Sequence, residues 1–314
     1  NVSNETVQVI SGGNTILYNN ISIECSLIHF MDEMSGNEIS TTLFPEILVA
    51  SSNTQNWATF NLNGNCAGYV NVRSDTLGTA ASIDVAGTIT NNYLILQDVT
   101  GVTGTFTANN SIDNGNVINW AVNEPASSGY VYWIGNTGNW SVPSNWSTGC
   151  VPGPQDTIVF NAASFSGAND AVIVDINGYG YSMIWNGVTG NPILTGSGSS
   201  IFLRNSLTLD ATMTSAFNGE IEFNGSIGTG VITSNAVVFN GDIKINGSAT
   251  WQLADAFNSN SDLLLETGTF TTNNQDLTIN RFNTDFINTR TLNMGSSIFN
   301  IMGDGEAFIV DATN

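Results

Sequence analysis

Positive charge is what this 314-residue sequence has least of: five Lys and Arg residues stand against 26 Asp and Glu, for a formal net charge of −21. Nucleic-acid binding needs a basic footprint to neutralise phosphates. Arg73, Arg204, Lys244, Arg281 and Arg290 are too scattered to make one, so no nucleic-acid partner is expected. Charged residues of both signs are only 10% of the chain, which leaves solubility to Asn, Ser, Thr and Gly. No apolar run reaches the ~18 residues of a membrane-spanning helix, so no membrane span is expected. A basic start followed by an apolar core is missing too, so no signal peptide is expected in this sequence. With one histidine, His29, and three distant cysteines, Cys25, Cys66 and Cys150, no metal-ligand cluster can be read. Helical periodicity is absent as well.

What is present is a ladder of short β-branched and aromatic segments alternating in period two. In the first half these include TVQVI, TILYNNISIEC, GYVNVRS, ASIDVAG and YLILQDV; in the second, AVIVDI, SIFLRNSLTL, GEIEFNG, AVVFNGDIKING and DLLLETGTFTT. Asn-Gly, Gly-Ser, Asn-Asn and Thr-Gly turns separate them at fairly even intervals. Two all-β architectures produce such a ladder, an antiparallel β-sandwich and a parallel β-helix-like solenoid. A sandwich favours two-residue hairpins between one-sided strands. Here apolar residues recur between Asn- and Thr-lined bends without long crossovers, so the expected fold is β-solenoid modules in tandem, the sandwich being the alternative. Asn stacked on Asn from coil to coil would satisfy the side-chain amides.

The stretch 130–160 holds Trp133, Trp140 and Trp146, three of the seven tryptophans. Bulky rings so close together read as a packed cap on the open end of a hydrophobic stack, with a sugar-stacking platform as the functional alternative. The segment NEPASSG at 123–129 follows Trp120, which closes the preceding strand run, so one unit ends near residue 126 and another opens at 127. On this reading 1–126 is the C-terminal part of one repeat module and 127–314 the N-terminal part of the next. The texture of the last residues, FIVDATN, would run on into NVSNETVQVI without a break, as in one period of a tandem array. One stretch looks irregular: HFMDEMSGNEISTTLF, within an insertion near 29–50, reads as a protruding loop that either presents a surface or covers a sheet edge.

Chemistry-bearing residues are sparse. Acidic pairs exist at Glu220 with Glu222 and at Asp32 with Glu33, but alternation puts Glu220 and Glu222 on one, most simply solvated, strand face. No catalytic residue and no enzymatic activity are expected, and no cofactor. Asp113, Asn114 and Asn116 place oxygen ligands around a Gly turn, a calcium candidate whose plainer explanation is an Asx turn. Cys25 and Cys66 are 41 residues apart, two coils of roughly 20 residues or ~9.6 Å, beyond disulfide reach. A loop in place of one coil at 29–50 would bring the pair together, leaving Cys150 free or paired outside the chain.

The order of motifs resembles the repeat modules of giant cell-surface proteins of Bacteroidota, SprB-like in architecture. The resemblance rests on YVYWIGNTGNWSVPSNWSTGCVPGPQDTIVF, then MIWNGVTGNPILTGSGSSIFLRNSLTL, WQLADAF, TGTFTTNNQDLT and NTRTLNMGSS, and on the closing segment NGNCAGYVNVRS through NGNVINW. It covers most of the chain outside about residues 26–50. It implies an extracellular, cell-surface location reached by type IX secretion, and a role as a long adhesin or filament of the kind used in gliding, attachment or biofilm. Such modules often carry a second cysteine near GYGYSMIW, where this chain has Tyr181. Asp75-Thr76-Leu77 and Asp156-Thr157-Ile158 resemble the Asp-Thr-apolar acceptor for O-glycosylation in that phylum; an ordinary turn or strand entry explains them equally. Neighbouring copies of the module, head to tail in one chain or filament, are the expected partners, with a surface polysaccharide as a further one. A carbohydrate-binding module or a β-helix polysaccharide-active enzyme is the alternative function.

Overall fold

The computed structural model describes residues 2–3, 6–9, 16–51, 53–76, 78–286 and 288–310. The chain is all-β and divides into two compact units, Asn1–Ala126 and Ser127–Asn314, each a parallel β-solenoid. Every strand-to-strand ladder among the described residues is parallel. The antiparallel contacts are single bridges, Asn65 with Gly68 and Trp133 with Trp146. A short 3₁₀ turn, Pro143–Asn145, lies between Trp140 and Trp146.

In the first unit the strands Ile16–Glu24, Met34–Thr41 and Thr54–Asn61 run straight through one corner of the coil. Their first halves lie on one face and their second halves on the next. The first face goes on through Ala81–Val85, Val99–Gly101 and Val117–Ile118. Thr88–Asn92, Thr105–Asn109 and Trp120–Asn123 form a separate sheet, joined to the straight-through strands where Asn91 donates its amide to the carbonyls of Phe60 and Leu62, each at 3.0 Å. A six-stranded sheet from Thr6–Val9 to Ile112–Asp113 closes the third side.

The second unit repeats the plan. One face runs from Tyr130–Tyr132 through Thr157–Phe160, Ser182–Trp185, Leu207–Thr208 and Thr229–Thr233; another from Gly178–Gly180 through Ile201–Leu203 and Ile221–Phe223. Ile243–Leu253 and Asp262–Thr271 cross the corner and join them. The third side carries Gly138–Asn139 through Thr214–Phe217, then Phe257–Asn258, Leu277–Ile279 and Phe299–Ile301.

Local sequence explains the stacking. Along Ile243–Leu253 alternate residues are buried without a break, so the period-two pattern persists through the corner. The decapeptides FNGEIEFNGS (217–226) and FNGDIKINGS (239–248) lie one above the other, Ile221 against Ile243 and Phe223 against Ile245. Their glycines are required by close approach. A Cβ on Gly247 would sit 2.1 Å from the carbonyl oxygen of Gly225, and one on Gly268 would sit 1.9 Å from that of Gly247. Only a residue without a side chain lets these corners stack at the strand spacing.

The expected irregular insertion at 29–50 is not there. Leu27–Phe30, Met34–Thr41 and Glu46–Val49 make an ordinary coil, with Met34, Ile39, Ile47 and Val49 in the core. Its acidic residues fall at a corner, where the next coil holds them. Gln55 donates to the Asp32 carbonyl at 3.0 Å, and Asn56 donates to Glu33 Oε1 at 3.0 Å.

Candidate functional site

The acidic residues carry most of the polar chemistry, and they do it at the corners. Six aspartates accept a backbone N–H from the preceding coil. Ser51 donates to Asp75 (3.0 Å), Gly78 to Asp98 (3.0 Å), Ser128 to Asp156 (2.6 Å), Ser141 to Asp175 (2.9 Å), Gly187 to Asp210 (2.7 Å) and Ser234 to Asp255 (2.8 Å). Asp242 and Asp276 do the same for the following coil, accepting from the amides of Asp262 and Ile298. A carboxylate accepting backbone N–H groups is favoured in its charged form. For Asp75 and Asp210 burial alone would raise the pKa. The amide and hydroxyl donors outweigh it and hold both carboxyls below their ordinary value, with His29 Nε2, 3.1 Å from Asp75, adding to the effect there. Asp170 is held low chiefly by the Gly167 amide.

The densest cluster lies on the outward side of the second unit. Lys244 stands directly beneath Glu222 in the ladder. Its Nζ is 3.1 Å from Glu222, 3.4 Å from Glu220 and 3.7 Å from Glu266, so one ammonium ties three successive coils. Glu266 reaches it from a β-bulge, the extra residue between Leu265 and Thr267 in the pairing with Ile243–Leu253. Asn246 completes the cluster by donating to the second oxygen of Glu222 at 3.1 Å. Burial by itself would lower the lysine's pKa; Glu222, then Glu220 and Glu266, overcome that and hold it above its usual value. Burial pushes the Glu220 carboxyl up, only partly offset by Lys244. Glu220 and Glu222 do share the outward face, but Glu222 is 7% exposed, so the solvated face expected from alternation is in fact a covered one. One coil further on, Arg281 pairs with Asp262 through Nε at 2.9 Å and through a shorter contact from its terminal nitrogen. A carboxylate whose two oxygens are taken up by a lysine and an asparagine is spent on joining coils, not offered to a substrate.

The tryptophans are inside. Trp133, Trp140 and Trp146 are at most 1% exposed and pack edge to face, with centroids 4.9 Å (Trp133–Trp146) and 4.8 Å (Trp140–Trp146) apart, over Phe160, which stacks on Trp185 at 4.0 Å. Their indole N–H groups find backbone partners: Trp133 donates to the carbonyl of Asn136 and Trp146 to that of Trp140. Rings buried this deeply present no face to a sugar. Trp120 lies over Phe106 at 4.8 Å in the last coil of the first unit.

The other predicted residues separate. Asp113 accepts the Gly115 amide at 2.8 Å in an Asx turn, and Asn116 donates to Asp98 of the preceding coil at 2.7 Å. Among the described residues no group of three or more His, Cys, Asp or Glu is placed to hold a metal ion. The expected Cys25–Cys66 pairing is corrected: Cys25 is a free thiol, 2% exposed, whereas Cys66 and Cys150 are disulfide-bonded. Because 29–50 forms a full coil, Cys25 and Cys66 stay two levels apart, too far for a bond. Thr76 is exposed in a turn and donates to Asp75, while Leu77 lies outside the described residues. Thr157 sits within a strand paired on both edges.

Composition alone did not reveal the corner aspartates. A signal was available: in LQD98, PQD156, IVD175, TLD210, LAD255 and NQD276 an aspartate ends or follows an apolar or amide pair about once per coil. No helix among the described residues is long and apolar enough to cross a membrane. No family model matches the chain, and neither a curated protein nor a solved structure matches it. What fold and site define together is a parallel β-solenoid whose polar side chains are spent on joining coil to coil.

Proposed function

We propose that the chain is a structural and adhesive repeat of a long secreted cell-surface fibre, extending away from the cell and presenting a surface for attachment. The observation that carries this reading is the use of the acidic residues. Aspartates, and the cluster around Lys244, join coils that are already hydrogen-bonded through their backbones, which is what a load-bearing stack requires. The resemblance of the Trp-rich opening and of the later motifs to giant surface proteins of Bacteroidota supports export by the type IX route, with neighbouring modules head to tail as partners.

Electron microscopy of native material tests the proposal. The expected particle is a thread with a regular axial repeat, its coils ~4.8 Å apart. A compact single-chain particle in native material would refute it and return attention to polysaccharide turnover or binding.

A further inference from the structure

The Trp-rich stretch has an outer side as well as an inner one. Along residues 130–134 the period-two alternation sends Val131 and Trp133 inward, at 1% and 0% exposure, and Tyr130, Tyr132 and Ile134 outward, at 62%, 38% and 52%. Large rings and an aliphatic side chain thus stand in a row at the surface. The residues beside Tyr130 in the next two coils are Thr157 and then Ser182, both small and hydroxylated, so they do not cover its ring. Tyr181, 42% exposed, adjoins Ser182.

The strand under these rings is held on both sides. On one edge the Trp133 amide donates to the Val159 carbonyl at 3.0 Å. On the other, the Tyr132 amide donates to Ser147 Oγ at 3.0 Å, its carbonyl accepts from the Ser147 amide at 2.9 Å, and the Ile134 amide donates to the Asn145 carbonyl at 2.8 Å. Beneath it Trp133 packs on Trp146. The outward rings therefore project from a fixed backbone, and little ordering remains to be done when a ligand meets them.

We infer that Tyr130, Tyr132 and Tyr181 form a stacking platform for a neutral polysaccharide. This rests on the fibre reading above and names what the fibre attaches to. A phenol joins an apolar ring to a polar tip, which matches a pyranose, with C–H groups on its faces and hydroxyls around its rim. None of the three phenol hydroxyls has a hydrogen-bond partner among the described residues, so all three are open to the ligand. Charge decides for a neutral glycan: residues 130–134 and 157–160 contain no Lys or Arg, and a chain of net charge −21 repels an acidic one. Spacing decides for a polymer. Tyr130 and Tyr132 are ~6.6 Å apart along the strand, and Tyr181 lies two coils, ~9.6 Å, across it. A single sugar ring is too small to cover these positions, whereas a chain of sugars reaches them together.

Electrophoresis of the full chain through native gels containing laminarin, xyloglucan or galactomannan, with alginate as the acidic control, tests the platform. At least one of the neutral glycans is expected to retard the chain, and alginate is not. Tyr130→Thr and Tyr132→Thr keep the net charge and a good strand former; with thermal melts unchanged, each weakens binding to that glycan about fivefold and the two together roughly twentyfold. Tyr181→Thr, outside the strand, weakens it in the same direction. Retardation by none of the neutral glycans, by alginate as strongly as by them, or to the same degree in the double variant would overturn the inference. Sedimentation that shows self-association of the parent, lost in the double variant, would overturn it too, by giving the face to a second copy. A thread in native material without retardation would overturn the platform and leave the fibre standing; retardation without a thread would do the reverse.

Discussion

Replacing Lys244 by Met isolates what one cation does for three coils. The substitution keeps most of the apolar stem and removes the charge that Glu220, Glu222 and Glu266 surround at 3.1–3.7 Å. Taking away one partner of a buried pair costs about 3–5 kcal/mol. The lysine side chain is still 21% exposed, so solvent screening brings the expected loss to roughly 2–4 kcal/mol at pH 7. For a unit of this size that lowers Tm by roughly 5–15 °C. The pH dependence gives the sharper test. Glu220 already titrates above its ordinary value because of burial, which Lys244 only partly offsets, and without the ammonium it moves further up. A raised carboxyl pKa penalises the fold above the folded-state pKa, and the penalty vanishes as pH falls below the unfolded value, about 4.3 for glutamate. The difference between variant and parent therefore shrinks between pH 7 and pH 4. Urea unfolding followed by tryptophan fluorescence across that range measures it. A Lys244→Met chain within about 0.5 kcal/mol of the parent at pH 7, or a loss that does not change with pH, would refute the reasoning.

Gly247→Ala puts a Cβ 2.1 Å from the Gly225 carbonyl and is expected to cost about 1–3 kcal/mol by thermal melt, whereas Gly87→Ala meets nothing within 4 Å and serves as the control. Asp210→Asn removes the anionic acceptor of the Gly187 and Thr212 amides and should cost about 1–2 kcal/mol at pH 7. Because the Asp210 pKa is depressed in the fold, the stability it contributes is present above the unfolded carboxyl pKa and is lost as pH falls through the folded one. Parent and Asp210→Asn unfolding curves should therefore converge in strong acid. Gln55→Met removes the amide that donates to the Asp32 carbonyl at 3.0 Å and should lower stability by about 1–2 kcal/mol; a denaturation midpoint equal to or above the parent's would count against it.

The fold class was legible because its causes are local. Period-two alternation, Asn-Gly corners and the paired decapeptides at 217–226 and 239–248 all follow from neighbours in sequence. The coil at 29–50 was missed for a physical reason. Its corner holds Asp32 and Glu33 between two methionines, and only the amides of Gln55 and Asn56, supplied by the next coil, make that corner regular. Coil arithmetic correctly placed Cys25 and Cys66 out of reach; the supposed loop undid it, and giving Cys66 to Cys25 left Cys150 free or paired outside the chain, whereas Cys66 and Cys150 are both disulfide-bonded and Cys25 is the free thiol. The Lys244 cluster was hidden because Glu266 reaches it only through a bulge that no single strand announces.

The charge imbalance and the fold answer each other. Stacking like side chains ~4.8 Å apart turns any acidic position repeated from coil to coil into a column of like charge, worth ~0.9 kcal/mol of repulsion per pair even at the dielectric of water. A chain with 26 acidic and five basic residues cannot neutralise such columns one by one. It avoids them in two ways. Most aspartates sit at corners and turn their charge onto backbone N–H groups, whose positive ends are supplied by every coil at no cost in lysine. Where two acidic positions would fall in register on a face, a cation takes the second place: Lys244 lies against Glu222, and Arg281 against Asp262. The scarcity of Lys and Arg thus follows from a stack in which the backbone is the counter-charge. Further coils of the same kind add their own N–H groups along with their own aspartates, so the charge problem does not grow with length.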